Sequence, residues 1–202
     1  MPAIPSPRNS LLGLLTVVAV LAGAAVAPAA AQAPQPQVLV VGDSLAVGLR
    51  PFLGGMLADR TLSWDAKSGR TTPQGLAALR AALRHETPQA VVVSLGTNDG
   101  WDPRRFADRL TRVLAAIPPQ SCVVWPALFR PARKGPYLAL NAVLRARARQ
   151  DPRLVVLNWD RWVTSGRVHL PDGLHPDDAG YQYRSAKIAA AVQHGCSPAI
   201  PS

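Results

Sequence analysis

Four short apolar runs punctuate the chain: Val38-Leu39-Val40-Val41, Ala90-Val91-Val92-Val93-Ser94-Leu95, Cys122-Val123-Val124-Trp125 and Leu154-Val155-Val156-Leu157. The first two end at glycine, Gly42 and Gly96. Runs that are apolar at successive positions and rich in β-branched residues suit strands covered on both faces, as in a parallel sheet between helices. A weaker strand is predicted near Leu62-Ser63-Trp64. Amphipathic helical patterns fill the intervals over 45–58, 74–85, 103–117, 136–149 and 177–194. In the second of these, Leu76, Leu79 and Leu83 recur at spacings of three and four while Arg80 and Arg84 turn outward. Pro103 and Pro136 stand where a first helical turn tolerates proline. Pro51 lies inside the first pattern and predicts a kink or a late start there. Strand and helix alternating five times predict a three-layer α/β/α sandwich with about five parallel strands and right-handed crossovers.

At 202 residues the chain suits one domain and is short for two. A hydrophobic share of 48% excludes a disordered protein. Part of that share sits at the N-terminus. Leu11 to Val26 carry no charge, Arg8 precedes them, and the small-residue run Pro28-Ala29-Ala30-Ala31-Gln32-Ala33 follows. A basic start, an apolar centre and an A-x-A site read as a secretory signal peptide over 1–31, cut after Ala31. The bland alternative is a retained anchor, for which the stretch is short against the roughly 20 residues of a bilayer crossing. Residues 32–36 then form a Pro/Gln/Ala linker, and the domain spans 37–202. No later segment is apolar enough to span a membrane, so the expected location is secreted, periplasmic or in the cell envelope.

The net charge is +10, and the leader carries only Arg8 of it. No basic stripe with interleaved aromatics accompanies the charge, so nucleic acid is not an expected partner. Compositional bias, or loose attraction to an anionic envelope, explains it better.

The polar clusters follow the strands. Gly42-Asp43-Ser44-Leu45 comes after the first, Ser68-Gly69-Arg70-Thr71 after the second, and Gly96-Thr97-Asn98-Asp99 after the third. Asp172-Gly173-Leu174-His175-Pro176 stands just before the last helix. All four fall at one pole of the predicted sheet, where open parallel sheets gather their sites. Each fits a part in acyl transfer. Ser44 sits where a strand turns into a helix, so its hydroxyl can project into the crevice. A serine hydroxyl is a weak nucleophile and needs a neighbouring base. His175 is the candidate base, and Asp172 three residues earlier can accept its Nδ1–H and support the imidazolium. An oxyanion needs donors already in place, and the N–H groups of Ser44 and Gly69 with the Asn98 side-chain amide would supply three. Asp177 or Asp178 can cap the final helix.

These four clusters, in this order, resemble the blocks of the GDSL/SGNH hydrolase superfamily, named for its Ser, Gly, Asn and His. The resemblance covers the chain from Gly42 to the last helix. It implies a flavodoxin-like sheet and ester hydrolysis, often of acyl groups on carbohydrates or lipids. It also implies Ser44 as nucleophile and first oxyanion donor, Gly69 and Asn98 as the other donors, and Asp172 and His175 as acid and base. Gly69 is the least specific match, since Ser-Gly is common and only its place in the second loop supports it.

The remaining residues carry less. His85 and His194 near predicted helix C-termini suit the helix dipole. His169, close to the Asp172–His175 loop, and Arg130, on the loop after the fourth strand, are candidate substrate contacts; Arg133 and Lys134 share that loop. Asp43 and Asp99 are explained by turn formation. No metal-ligand spacing is present and no cofactor is called for. Cys122 opens the fourth strand at the pole away from the site, and Cys196 past the last, antiparallel helix reaches the same pole. A disulfide between them is expected in an exported chain.

Three rival readings remain. An α/β-hydrolase elbow requires Gly-x-Ser-x-Gly, and this chain has Gly42-Asp43-Ser44-Leu45-Ala46. An acyltransferase acting on a carbohydrate hydroxyl would use the same triad. A non-catalytic carbohydrate- or envelope-binding module would predict the loss of a triad residue, and all three are present. The expected substrate is a small acyl ester or an acylated carbohydrate, with acetyl the first guess. Few phenylalanines and no long apolar lid favour short acyl chains. Oligomeric state is not legible in these residues.

Overall fold

The computed structural model describes residues 1–3 and 37–196. Most of the expected leader and all of the expected linker lie outside the described residues. The elements below belong to the unit Pro34–Ser202.

In chain order these are β1 (Gln37–Gly42), α1 (Ser44–Val47), α2 (Arg50–Met56), β2 (Thr61–Ala66), α3 (Thr72–Ala82), β3 (Ala90–Ser94), α4 (Pro103–Ala116) and β4 (Cys122–Pro126). A 3-10 turn (Ala132–Lys134), α5 (Tyr137–Ala148), β5 (Leu154–Leu157), α6 (Trp159–Thr164) and α7 (Asp178–Ala190) follow, and a π turn (Ala191–Gly195) prolongs α7. The five strands are all parallel, in the order β2-β1-β3-β4-β5. This doubly wound order places its switch point between β1 and β3, where the crossovers leave to opposite faces.

Two cores hold the layers. Along β1, Leu39 and Val41 pack with α3, α4 and α5, while Val38 and Val40 pack with α2 and α7. Alternate side chains of one strand therefore serve opposite cores, which is why the run is continuously apolar. β1 and β3 are buried along almost their whole length, whereas the edge strands β2 and β5 are half-buried. That edge position explains the weak signal of β2, whose residues face solvent on one side.

The helix boundaries have local causes. The pattern over 45–58 is two helices, and Pro51 takes an early position of α2 where its missing N–H costs nothing. α3 starts at Thr72, two residues before expectation, on a capping box of Thr71 and Gln74. Asp102 caps α4 by accepting from the N–H groups of Arg104 and Arg105. Asp177, one of the two expected candidates, caps α7. α6 escapes sequence reading because six residues are too few to display a 3.6 period.

Cys122 and Cys196 form the expected disulfide, their Cα atoms 5.3 Å apart across a separation of 74 residues. It ties the start of β4 to the end of α7, opposite the pole where the polar loops gather. In the loop-entropy account, a closure of this length contributes about 4 kcal/mol. Replacing both cysteines by serine is expected to lower the unfolding free energy by about that amount in urea titration. An unchanged midpoint would show that the bond adds nothing to stability. No described helix is long and apolar enough to cross a membrane.

Candidate active site

The turn from β1 into α1 is tight enough to demand glycine at its first position. A Cβ on Gly42 would lie 2.4 Å from the Ala46 Cβ and 2.8 Å from the Ser94 carbonyl oxygen. Asp43 follows as the N-cap, its Oδ1 accepting the Leu45 N–H at 3.0 Å. Ser44 is then the first helical residue, with its hydroxyl free of the cap. It donates to His175 Nε2 over 2.8 Å.

His175 arrives from the loop before α7. Its Nδ1–H donates to Asp172 Oδ2 over 2.7 Å, while Asp172 Oδ1 accepts the backbone N–H groups of Leu174 and His175. A carboxylate can only accept, so the ring proton sits on Nδ1 and Nε2 turns a lone pair to Ser44. The His175 side chain, first, and then these backbone donors hold the Asp172 carboxyl well below the usual carboxylate range. Asp172 therefore stays ionised wherever a histidine can act as a base. The carboxylate itself is well exposed.

Gly69 occupies the third position of a turn closed by the Arg70 N–H on the Lys67 carbonyl, with φ +73°. A type II turn needs positive φ there, so glycine suits it. Among the described residues, neither the Gly69 nor the Ser44 N–H has an internal acceptor. The Asn98 amide nitrogen lies 3.2 Å from the Arg70 carbonyl and 3.4 Å from Asp43 Oδ2, while its oxygen accepts from Lys134 Nζ at 3.3 Å. These bonds join the loops after β1, β2, β3 and β4. They also fix which way the amide points.

Other residues in these loops are structural. Asp99 Oδ1 accepts the Thr72 N–H at the start of α3, and Oδ2 lies 3.0 Å from Arg109. Arg130 is buried, and its guanidinium donates to the carbonyls of Asp99, Gly100 and Gly135. It pins the loop after β4 and also lines the edge of the apolar cleft beside the Asp172–His175 loop. His169 is exposed and faces Asp177 at 3.4 Å.

Sequence reading missed a cleft of about 910 Å³ beside the Asp172–His175 loop. Its apolar wall comes from Phe129, Tyr137, Leu138, Val163, Val168 and Leu170, with Arg130, His169 and Gly173 at its edges. The buried Asn141 shapes one side by bonding both the N–H and the carbonyl of Leu128 and one oxygen of Asp160. No single run announces the cleft, because its residues come from separate segments.

Residues 40–183 match the GDSL-like Lipase/Acylhydrolase family, which is well over half of the chain, and the chain belongs to that family. That family takes its name from lipases and acylhydrolases. The chain is 28% identical over 167 residues to an arylesterase of Vibrio mimicus, covering 73% of this chain and 83% of that protein. It is 35% identical over 94 residues to the thioesterase 1/protease 1/lysophospholipase L1 of Escherichia coli K12. That match covers 39% of this chain and 44% of the E. coli protein, less than half its length. The fold resembles the C-terminal catalytic domain of peptidoglycan O-acetyltransferase A from Streptococcus pneumoniae, with a TM-score of 0.67 at 18% identity. That similarity spans 80% of this chain and 94% of the solved domain.

Proposed function

We propose that this protein is an exported serine esterase in which Ser44 is the nucleophile, His175 the general base and Asp172 its orienting carboxylate. The observation that carries this reading is the unbroken hydrogen-bond chain from Ser44 Oγ through both nitrogens of His175 to Asp172. Ser44 Oγ attacks the ester carbonyl as its proton passes to Nε2. The Ser44 and Gly69 N–H groups and the Asn98 amide receive the oxyanion. Collapse breaks the bond to the alcohol, which leaves with the proton from Nε2. Water, deprotonated by the same nitrogen, then frees the acid and restores Ser44.

The apolar cleft lies beside the loops that carry Asp172 and Asn98. Gly173 in its wall adjoins Asp172, and Arg130 bonds the loop that carries Asn98. Its volume falls in the range of sites that enclose a drug-sized ligand. We therefore assign to it the apolar part of the ester, and the preference for short chains read from phenylalanine scarcity gives way to a medium-length group. The disulfide suits an oxidising compartment and supports export.

The test is hydrolysis of 4-nitrophenyl acetate, butyrate and octanoate, with Ser44→Ala as the blank. Octanoate is expected to show the highest kcat/KM, by at least about tenfold over acetate at roughly 1.4 kcal/mol of added burial. Equal rates on all three would remove the cleft from the binding site. Turnover that survives Ser44→Ala would remove the nucleophile assignment. Transfer to a carbohydrate hydroxyl would use the same residues, and product analysis with such an acceptor separates it from hydrolysis.

A further inference from the structure

Behind the nucleophile turn lies a charge that this chemistry does not use. Arg184, in the middle of α7, is 2% exposed. Its guanidinium stacks over the Trp159 ring at 4.3 Å, and Nη2 donates to Ser94 Oγ over 3.1 Å. Nε and Nη1 are buried without a hydrogen-bond partner among the described residues. A buried guanidinium with two idle donors is costly, and an aliphatic side chain would pack under the same ring without that cost.

Ser94 is the link to the site. Its hydroxyl receives Arg184, while its backbone carbonyl accepts the Asp43 N–H at 3.0 Å. Asp43 is completely buried. One of its oxygens holds the Leu45 N–H and the other faces the Asn98 amide at 3.4 Å. A buried anion thus stands between the nucleophile and a candidate oxyanion donor, with a buried cation at its back. Unbalanced, that anion would oppose the negative charge developing on the substrate oxygen, or would take up a proton and loosen its hold on α1.

We propose that Arg184 is a positioning residue: its charge balances Asp43 across Ser94 and so maintains the turn that presents Ser44 and its N–H. The proposal rests on the reading of Ser44 as nucleophile. Burial pushes the Asp43 carboxyl up to about 6, against the pull of the Leu45 N–H and the Arg184 charge. Burial draws Arg184 down to about 10, and Asp43 holds it up. The other ionisable groups facing Asp43 are His175, on the loop before α7, and Tyr181, one turn ahead of Arg184. On the β2 side, Arg70 is paired with Asp65.

The experiment measures kcat and KM for 4-nitrophenyl butyrate from pH 5 to 9 in wild type, Arg184→Met, Arg184→Lys, Asp43→Asn and the Asp43→Asn/Arg184→Met double variant. Thermal melts establish that each is folded. Arg184→Met is expected to lower kcat at pH 7 about tenfold, leave KM within about twofold and move the acid limb up by about one pH unit. Arg184→Lys, which keeps the charge, should hold the limb at its wild-type position. In the Asp43→Asn background the further loss from Arg184→Met should shrink to less than about threefold, since no anion is left to balance. A folded Arg184→Met with the wild-type profile would overturn the proposal. So would a loss equal at every pH and in both backgrounds. If Arg184→Met does not fold, a limb displaced in Arg184→Lys overturns it and an unmoved limb with near wild-type kcat supports it. Ser44→Ala runs alongside: turnover surviving there sinks the nucleophile reading, whereas turnover lost there but unchanged in Arg184→Met sinks this inference alone.

Discussion

His175→Ala is expected to lower kcat for 4-nitrophenyl esters by about 10,000- to 1,000,000-fold while KM changes little. Among the described residues the imidazole hydrogen-bonds Ser44 Oγ and Asp172 and does not line the cleft assigned to the ester, so its removal is expected to leave that cleft unaltered. What vanishes is proton acceptance in the transition state, which belongs to kcat. Ser44→Ala should cost a similar factor, and the double variant little more than either single one. Residues that act as one unit lose their whole effect at the first deletion. Asp172→Asn should cost less, about 100- to 10,000-fold, because Nδ1 would still find a partner there, though one able to favour the wrong tautomer. Steady-state kinetics on the four variants, each checked for folding, decides the matter. A His175→Ala enzyme within about tenfold of wild type would mean that another group accepts the proton.

The relation between sequence and site follows from the sheet. Parallel strands place their exits at one pole, so the order of clusters after β1, β2 and β3 and before α7 predicts Ser44, Gly69, Asn98 and the Asp172–His175 pair at one pole of the sheet. Strand runs were legible because β1 and β3 are covered on both faces, and β2 was faint because an edge strand is not. What stayed hidden depends on contacts between distant segments. The cleft draws its wall from the loop after β4, from α5, from α6 and from the loop before α7. Nothing in the sequence shows that three carbonyls close around the Arg130 guanidinium. Arg184 falls within the helical pattern over 177–194, and only the packing of α7 on β1 and β3 reveals it as a buried charge. Asp43 was legible as a turn former, but not as an anion facing Asn98.

Asn98→Ala should lower kcat by about 100- to 1,000-fold and leave KM within about threefold, the effect of removing one oriented oxyanion donor. The amide can act this way because it is held before substrate arrives. Lys134 fixes its oxygen and the Arg70 carbonyl takes one N–H, so the weakly engaged N–H near Asp43 is the one available to a developing oxyanion. A preorganised donor gains most when charge appears, because nothing has to reorient. Asn98→Asp is therefore expected to be worse than alanine. It would keep the shape while replacing the donor by a second carboxylate beside Asp43, in a site where negative charge must accumulate. Lys134→Met should fall between wild type and Asn98→Ala, about three- to tenfold down in kcat, by freeing the amide to rotate. The ranking of the three by kcat on one ester is the measurement. Asn98→Asp equal to wild type would show that the oxyanion forms elsewhere, and the Ser44 and Gly69 N–H groups would have to hold it without a side-chain donor.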